Sequence, residues 1–316
     1  MFRDKEYVYE VWRERSFTKA AAKLYISQPS LSAKIKKIED EIGAPIFDRS
    51  TAPLGLTEFG KTYIEAITEV REIERKVENY VNDMNMLHSG TLSIGASNVF
   101  AAYAIPPLIT EFKRKFPNVK VRLIEGNTEM LEELLAANEA DIVVDNNNYD
   151  RELYERQEYT REKILIAVPA DTPACEAAKA YELSEEAIEK REYLKEEYPA
   201  VPLSLFSEVP FVLLTPNNDT RIRGERMCKE AGFRPKIALE VHQQATAYMI
   251  AMTKLGATFV SDTVVRKMPS HATLKYYKSD SEFAERTVYF TMKKHKQKTR
   301  AMQEFMKLVS SESGEA

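Results

Sequence analysis

Apolar residues between positions 31 and 42 recur at intervals of four, three and four residues: Leu31, Ile35, Ile38 and Ile42. This spacing places them on one buried face of a helix. Pro29 lies where that helix begins, since its fixed φ suits the first turn, and Gly43 lies where it ends. A shorter helix precedes it, with Thr18 as its cap and residues 25–27 as the connecting turn. The pattern therefore predicts two short helices joined by a tight turn.

The exposed face of the second helix carries small polar groups first and positive charges after them. Its outward side chains are Gln28, Ser30, Ala33, Lys34 and Lys37, with Ser32 and Lys36 at the margins. A helix that enters a DNA major groove by its amino-terminal end has this order, because small donors reach base edges and lysines hold phosphates. An amphipathic helix with a solvated lysine face is the alternative interpretation of this segment alone.

The segment after these helices is predicted to be a hairpin followed by a long helix. Residues 46–56 form the hairpin, whose Arg49 can clamp a phosphate, and Thr57 caps the helix. Apolar residues then alternate three and four apart: Tyr63, Ala66, Val70, Ile73, Val77, Tyr80, Met84 and Leu87. This spacing is typical of a coiled-coil seam. Charged residues between the seam positions favour dimerisation over burial of the helix within one chain.

The hydrophobic period changes after residues 88–90, which predict the end of the long helix and a domain boundary. Apolar runs and helical stretches then alternate, as in a parallel sheet covered by helices. The predicted strands are 91–95, 119–124, 140–144, 164–168, 211–214, 237–241, 257–260 and 287–292. We interpret them as two small α/β lobes, with the last strand and the final helix, 299–309, returning to the first lobe.

The amino-terminal segment resembles the DNA-binding domain of LysR-type transcriptional regulators at many positions with fixed spacing. The residues that match are Ser16-Phe17-Thr18, Ala20-Ala21, Leu24, Ser27-Gln28-Pro29-Ser30-Leu31-Ser32, Ile35, Ile38-Glu39, Gly43, Ile46-Phe47-Asp48-Arg49, Leu56-Thr57 and Gly60. The remainder is similar, more loosely, to the effector-binding domain of that family. There the matching residues are Pro106-Pro107-Leu108, Phe112, Phe116-Pro117, Glu125-Gly126 and Asp141.

The resemblance implies an α/β protein with an N-terminal winged helix-turn-helix, a long linker helix and a two-lobed effector-binding domain resembling periplasmic binding proteins. The implied segments are 1–57 for the winged helix-turn-helix, 58–89 for the linker or dimerisation helix, 90–160 and 265–310 for the first lobe, and 161–264 for the second lobe.

Two sets of candidate site residues follow from the pattern and the resemblance. DNA contacts are expected at Thr18, Ser27, Gln28, Pro29, Ser30, Ser32, Lys34, Lys36 and Arg49. Effector contacts are expected at Ser97, Asn98, Thr128, Thr215 and His242. The second set follows predicted strands, and open α/β sheets bind ligands at the carboxyl ends of their strands. Free N–H groups at helix starts suit an anionic effector; plain N-capping is the alternative role.

The segment 174–205 is an insertion, because relatives cross this region with a short loop. Between Cys175 and Tyr198 it holds eight acidic and four basic residues, and Ser184 predicts the start of a helix there. We interpret the insertion as a solvated decoration of the second lobe. A lid or an oligomer contact is the alternative.

Composition narrows the class of protein without deciding it. The chain has 316 residues, 44% of them hydrophobic and 30% charged, as in a globular protein of two or three domains. Its net charge of −4 speaks against a nucleic-acid partner, but seven basic residues against one acidic residue lie between Arg13 and Lys37. A local patch of this kind is sufficient for phosphate binding. The start of the sequence lacks an apolar signal core, so we expect a cytoplasmic protein with no membrane span.

The remaining chemistry of the sequence is sparse. Cys175 and Cys228 are 53 positions apart, and this spacing is not one that metal-binding cysteines have. A redox switch between the two cysteines is a minor alternative. The histidines form no metal motif, and no nucleophile–base pair stands out. We therefore expect no metal, no cofactor and no enzymatic activity.

The sequence as a whole predicts a ligand-responsive regulator that binds double-stranded DNA as a homodimer or homotetramer and senses a small metabolite between its lobes. A solute-binding transport receptor is the alternative, since it would share the two lobes. It would need an export signal and would not carry residues 16–62.

Overall fold

The computed structural model describes residues 2–51, 53–84, 90–268, 272–294, 296 and 298–312. The chain forms two compact units, Met1–Met86 and Leu87–Ala316. The predicted boundary residues His88 and Ser89 lie outside the described residues.

The first unit is a helical domain with a small hairpin. Its elements are α1 (Lys5–Glu14), α2 (Phe17–Lys23), α3 (Gln28–Ile42), β1 (Phe47–Asp48), β2 (Gly55–Leu56) and α4 (Glu58–Met84). Leu31, Ile35 and Ile38 are buried in its core, as their spacing predicts, and Ile42 is partly buried beside them. The two-helix motif and its hairpin are therefore confirmed.

The ends of α2 and α3 follow from their capping residues. The Oγ of Ser27 accepts a hydrogen bond from the Ser30 N–H at the start of α3, and Gly43 ends that helix with a φ of 82°. This left-handed conformation favours glycine. The prediction that Thr18 caps α2 was wrong. Ser16 is the cap, and its Oγ accepts from the Lys19 N–H.

The hairpin is closed onto α4 by Thr57. Its hydroxyl donates to the Pro45 carbonyl at 2.6 Å and accepts from the Gly60 N–H at 2.9 Å, so its predicted capping role is confirmed. A Cβ at Gly60 would lie 2.0 Å from the Ile46 carbonyl oxygen. The close approach of α4 to the hairpin thus requires glycine at this position.

The long helix α4 begins inside the domain core and continues beyond it. Tyr63, predicted as the first seam residue, is instead buried within its own domain, where its ring stacks on those of Phe2 and Phe59. Ile73 and Val77 are each 60% exposed, so these two seam positions are open in a single chain. The side chains of Tyr80 and Met84, and all of Leu87, lie outside the described residues.

The second unit is built from two α/β lobes. Its strands are β3 (Thr91–Ala96), β4 (Lys120–Glu125), β5 (Ile142–Asp145), β6 (Tyr154–Pro169), β7 (Pro210–Leu214), β8 (Lys236–Val241), β9 (Thr258–Ser261), β10 (Leu274–Lys278) and β11 (Glu285–Lys293). Its helices are α5 (Ile105–Lys115), α6 (Thr128–Ala136), α7 (Ala174–Ala177), α8 (Glu185–Glu189), α9 (Asp219–Glu230), α10 (Gln244–Met252), α11 (Asp262–Lys267) and α12 (Arg300–Glu312). A π-helical segment, Phe100–Ala104, leads into α5.

The first lobe contains the parallel arrangement that the sequence predicts. Strand β3 pairs in parallel with both β4 and β5, and β11 joins the sheet antiparallel to β5. Residues of α5 and α12 pack with β3, β5 and β11 in the core of this lobe. The predicted return of the last strand and helix to the first lobe is therefore correct.

Two long strands connect the lobes. The first part of β6 pairs with β11, and its second part pairs with β9 and β10. Strands β7 and β8 form a parallel pair, which Phe211 joins to Ala257 through an isolated bridge. Because β10 pairs with the second part of β6, residues 274–284 pack with the second lobe and not with the first, where the sequence boundaries had assigned them.

The insertion 174–205 is part of the second lobe's core. Cys175, Ile188, Tyr193 and Leu203 are all buried, and the Tyr193 hydroxyl donates to Asp262 at 2.9 Å. The interpretation as a solvated decoration was therefore wrong. The predicted helix start at Ser184 is correct, since its Oγ accepts from the Ala187 N–H. Among the described helices, none is long and apolar enough to cross a bilayer.

Candidate functional site

The amino-terminal end of α3 presents a polar surface to solvent. Gln28, Pro29 and Ser30 are exposed, and so are Thr18 and Ser27 nearby. The Gln28 amide donates to the Ser32 hydroxyl at 2.8 Å, which orients the amide along the exposed first turn. The structure thus brings most of the predicted base-reading residues to one surface.

Lys34 was predicted to point outward from α3, but its ammonium lies beside α1. Its ammonium lies 4.1 Å from the centre of the Tyr7 ring and 3.6 Å from the Asp4 carboxylate. These contacts, with Tyr7 foremost, raise the pKa of Lys34 above its ordinary value. The Lys34 side chain, 38% exposed, therefore extends along α1 and not straight outward, and the DNA contact predicted for it stays a prediction. Lys36, predicted at the margin, and Lys37, predicted to point outward, are both exposed.

The seven basic residues between Arg13 and Lys37 carry less free positive charge than their number predicts. Lys23 lies 2.8 Å from both Glu10 and Glu14, and this hydrogen-bonded pair lowers the pKa of Glu14. Within the part of the chain that the structure describes, no acidic group lies within 4.0 Å of Arg15, Lys19 or Lys36. These exposed residues carry the free positive charge of the domain.

Arg49 lies where the hairpin meets α3. Its guanidinium donates to Glu39 Oε2 at 3.0 Å and lies 5.3 Å from the centre of the Phe17 ring. The other Glu39 oxygen accepts from the backbone N–H groups of Ile46 and Phe47. Glu39 therefore fixes both the entry of the hairpin and its arginine. Sequence reasoning gave Glu39 no role, although it is one of the residues that carry the resemblance.

Tyr25 is a second residue that sequence reasoning passed over. It occupies the turn before α3 with a φ of 55°, and its side chain is 95% exposed. A large aromatic side chain this exposed, beside Ser27 and Gln28, is available to a partner surface. A left-handed, non-glycine position cannot be read from apolar spacing.

The predicted effector residues of the first lobe lie together at the ends of β3 and β4. Ser97 and Asn98 are half-buried, and the Asn98 amide donates to Glu125 at 2.8 Å. Thr128 is exposed and does not cap α6; Asn127 does, accepting from the Met130 N–H at 2.9 Å. The alternative role of Thr128 as a plain N-cap is therefore not what the structure shows, and its effector contact stays a prediction.

The predicted effector residues of the second lobe form a second pair. Thr215 is half-buried after β7 and its N–H donates to the Val241 carbonyl, while His242 is exposed after β8. Asn218, and not Thr215, caps α9. Each group lies at the carboxyl ends of two parallel strands, with three residues on the first lobe and two on the second.

A cavity of about 580 Å³ lies at the strands that connect the lobes. Its lining residues are Asn146, Asn147, Asn148, Arg156, Arg161, Glu162, Lys163, Arg191, Leu194, Arg223, Glu285, Arg286, Thr287 and Tyr289. None of the predicted effector residues is among them. Sequence reasoning missed this cavity, because its wall combines β6, β11 and the insertion.

A buried ionic network ties the two lobes beside this cavity. Arg286 donates to Glu162 at 2.8 Å and to Asp219 at 3.1 Å. The Asn146 amide also donates to Asp219, at 2.6 Å. Arg286 and Glu162 are almost completely buried, where removing one partner leaves an uncompensated charge. Asp219, at the start of α9, thus connects the second lobe to the end of β5.

Comparison with family models covers nearly the whole chain. The model described as "Bacterial regulatory helix-turn-helix protein, lysR family" matches residues 2–61. The model described as "LysR substrate binding domain" matches residues 86–313.

Relatives and solved structures agree with these matches. An uncharacterized HTH-type transcriptional regulator of Bacillus subtilis, YcgK, is 33% identical over 307 residues, 96% of this chain and 92% of that protein. A probable RuBisCO transcriptional regulator of Trichormus variabilis is 25% identical over 92% of this chain and 82% of its own length. The crystal structure of CbnR, a LysR family transcriptional regulator, has a TM-score of 0.63 at 18% identity and covers 99% of both chains.

Proposed function

The chain belongs to the LysR family of transcriptional regulators, and on that premise we propose how it binds DNA and responds to a ligand. The exposed amino-terminal end of α3 enters the major groove, where Gln28 and Ser30 read bases. Lys36, Lys19 and Arg49 hold phosphates on either side. Ser27 and Pro29 shape the first turn, Thr18 lies at the margin of this surface, and Lys34 supports α3 from α1.

The observation that carries this proposal is the surface at the start of α3. Ser27 caps the Ser30 N–H and Pro29 has no N–H, so the exposed side chains of Gln28 and Ser30 make up this surface. Helix starts of this kind attract phosphates and place short polar side chains within reach of base edges. A transport receptor, the alternative, would have no use for this domain.

We propose that the protein acts as a homo-oligomer. Ile73 and Val77 are exposed on α4 and are spaced as one side of a coiled-coil seam. Leu123 on β4 and both Ile237 and Leu239 on β8 are further exposed apolar residues, on strands at sheet edges. Pairing two chains would place two α3 helices on successive half-sites of one operator.

We propose further that a small metabolite between the lobes controls the regulator, which works in the cytoplasm. Strands β6 and β11 connect the lobes, so a ligand that holds both lobes changes their relative angle. Ser97, Asn98, Thr128, Thr215 and His242 are the contacts expected from the strand ends. The segments named above remain our division of the chain, with the second lobe extended to residue 284.

Electrophoretic mobility shift on the DNA upstream of the protein's own gene tests this proposal. The wild type should retard that fragment in preference to random DNA. Gln28→Ala should lose about 1–3 kcal/mol on the specific site and little on random DNA. Gln303→Ala, an exposed glutamine of α12, is the matched control and should bind as the wild type does. Equal losses on both DNAs for Gln28→Ala would place this residue on the backbone instead.

A further inference from the structure

We propose that the cavity at the connecting strands is a binding site for a small organic molecule with at least two anionic groups, built in part by the insertion 174–205. The inference rests on the proposed function, since it specifies the class of effector and a place for it. At about 580 Å³ the cavity has the volume of a small-metabolite pocket.

The lining of the cavity is strongly cationic. Five arginines and one lysine stand against two glutamates: Arg156, Arg161, Lys163, Arg191, Arg223 and Arg286 against Glu162 and Glu285. Arg286 pairs with the buried Glu162 and with Asp219, and Asp219 pairs with Arg223 as well. The excess positive charge of the cavity therefore lies on the other cationic side chains. A concave wall that carries one sign of charge attracts ligands of the opposite charge.

Two of these arginines have only neutral partners. Arg156 donates to the Asn148 side-chain oxygen at 2.8 Å and lies over the Tyr289 ring. Arg191 donates to the Arg161 carbonyl at 2.8 Å. Across the described residues, no carboxylate lies within 4.0 Å of either guanidinium. Each retains donors and an uncompensated charge, which is the arrangement that binds carboxylate or phosphate groups bidentately.

Two of the ion pairs in the wall are open to exchange. Arg161 pairs with Glu158, which is 49% exposed, and Lys163 pairs with Glu285, which is 68% exposed. Exposed pairs of this kind contribute little stability. An incoming anion can therefore replace these glutamates at small cost, whereas the buried Arg286 pair stays in place.

The insertion holds Arg191 rigidly in the wall. Tyr193, two residues later, is buried and donates to Asp262, and the Lys278 ammonium donates to the Tyr193 and Lys195 carbonyls. Leu194 contributes the apolar part of the wall. The site therefore depends on the segment 174–205.

The cavity joins residues from both lobes, which gives its ligand a means of control. Asn148 and Arg156 belong to the first lobe, while Arg191 and Arg223 belong to the second. A molecule with two anionic groups can contact both sets at once and hold the lobes at one angle. Binding that favours one arrangement over another shifts the population toward it.

One buried atom indicates a further feature of the ligand site. Glu162 Oε2 accepts from Arg286, but Oε1 is buried without a hydrogen-bond partner among the described residues. A buried carboxylate oxygen is ordinarily satisfied by a donor. A hydroxyl or ammonium group on the same ligand would supply one.

Isothermal titration of the full chain with pyrophosphate, and separately with citrate, tests the site. At least one of these probes should bind the wild type at an ionic strength matched with potassium chloride. Arg191→Gln should weaken that binding at least tenfold. Lys190→Gln is the matched control, because it removes the same charge from the adjacent, exposed position of the insertion, and it should bind as the wild type does.

Each other outcome overturns the proposal. If neither probe binds, or if Arg191→Gln binds as tightly as the wild type, the cavity is not the site. If Lys190→Gln loses as much, the attraction is non-specific. Should Arg191→Gln fail to fold, Arg156→Gln tests the opposite wall, with Arg151→Gln, at an exposed position, as its control. Operator binding by the wild type, measured in parallel, shows whether the proposed function stands independently.

Discussion

The guanidinium of Arg49 on the hairpin donates to the Glu39 carboxylate on α3 at 3.0 Å. The same carboxylate accepts two backbone N–H groups, from Ile46 and Phe47, where the hairpin begins. Through this one glutamate the hairpin arginine is fixed relative to α3. Arg49 remains about half exposed, so it can contact a phosphate while α3 lies in the groove.

Arg49→Ala should therefore weaken binding to all DNA sequences alike. The slope of the logarithm of affinity against the logarithm of salt should fall by about 1, because one phosphate contact releases about one counterion. Fluorescence anisotropy at several salt concentrations measures this slope. Arg114→Ala, an exposed arginine of α5, is the control and should change neither quantity. An altered sequence preference with an unchanged slope would contradict a phosphate contact.

In the first unit, the sequence predicted the features that depend on residues close in sequence. It did not predict those that depend on contacts with a distant element. The buried face of α3, Gly43 and Thr57 follow from spacing and local capping, and the structure agrees. The direction of the Lys34 side chain was not predicted, because it is decided by Tyr7 on α1 and by Asp4 just before that helix. Glu39 went unassigned because its role depends on backbone groups of the hairpin.

In the second unit, too, features that depend on neighbouring residues were predicted and features that depend on distant contacts were not. The parallel strands β3, β4 and β5 were predicted, since short apolar runs alternate with helices in this part of the chain. Strand β6 is 16 residues long, but its first part is charged and lines the cavity, so only its apolar second part was recognised. The insertion was misread because Tyr193 is surrounded by charged residues in sequence, whereas its partner Asp262 lies far along the chain.

The exposed seam of α4 predicts the oligomeric state. Ile73→Lys combined with Val77→Lys should shift sedimentation toward smaller species, because burying two unpaired charges in a desolvated contact is costly. Operator affinity should fall with it, since one half-site supplies fewer phosphate contacts. Glu65→Lys combined with Glu69→Lys alters exposed positions outside the seam and serves as the control. Unchanged sedimentation of the seam variant would show that oligomers form through other surfaces.

Asp145, at the end of β5, predicts a pH dependence of stability. Burial raises its pKa to about 6, although Tyr149 and Asn147 donate hydrogen bonds to it. In the unfolded chain the pKa is about 3.9, so the folded state binds more protons between these values. Its contribution to the free energy of unfolding is fully present below about pH 4 and is lost as the pH rises through about 6.

Asp145→Asn removes this titration while keeping the shape of the side chain. Relative to the wild type, the variant should gain about 2–3 kcal/mol in unfolding free energy between about pH 4 and about pH 7.5. Urea unfolding at several pH values measures the difference. Asp150→Asn, at an exposed position, should show a nearly constant difference from the wild type. A flat profile for Asp145→Asn would mean that its carboxylate is ionised in the folded protein without cost.

Ser97 distinguishes the strand-end site from the cavity at the connecting strands. Its backbone carbonyl accepts from the Ala101 N–H, as a helix start requires, but among the described residues its hydroxyl makes no recorded hydrogen bond. Ser97→Ala should therefore cost less stability than the roughly 1 kcal/mol lost with a capping side chain. If the hydroxyl holds the effector, affinity should fall about tenfold or more, since hydrogen bonds to charged groups contribute about 1.5–3 kcal/mol.

The measurement is calorimetric titration with a compound identified by its effect on operator binding. Ser204→Ala, an exposed serine of the second lobe, is the matched control, and DNA affinity without ligand should stay constant in both variants. An affinity loss in Ser97→Ala alone assigns this effector to the ends of β3 and β4. An affinity loss in Arg191→Gln alone assigns it to the cavity. Losses in both would mean that one ligand reaches from the strand ends to the connecting strands.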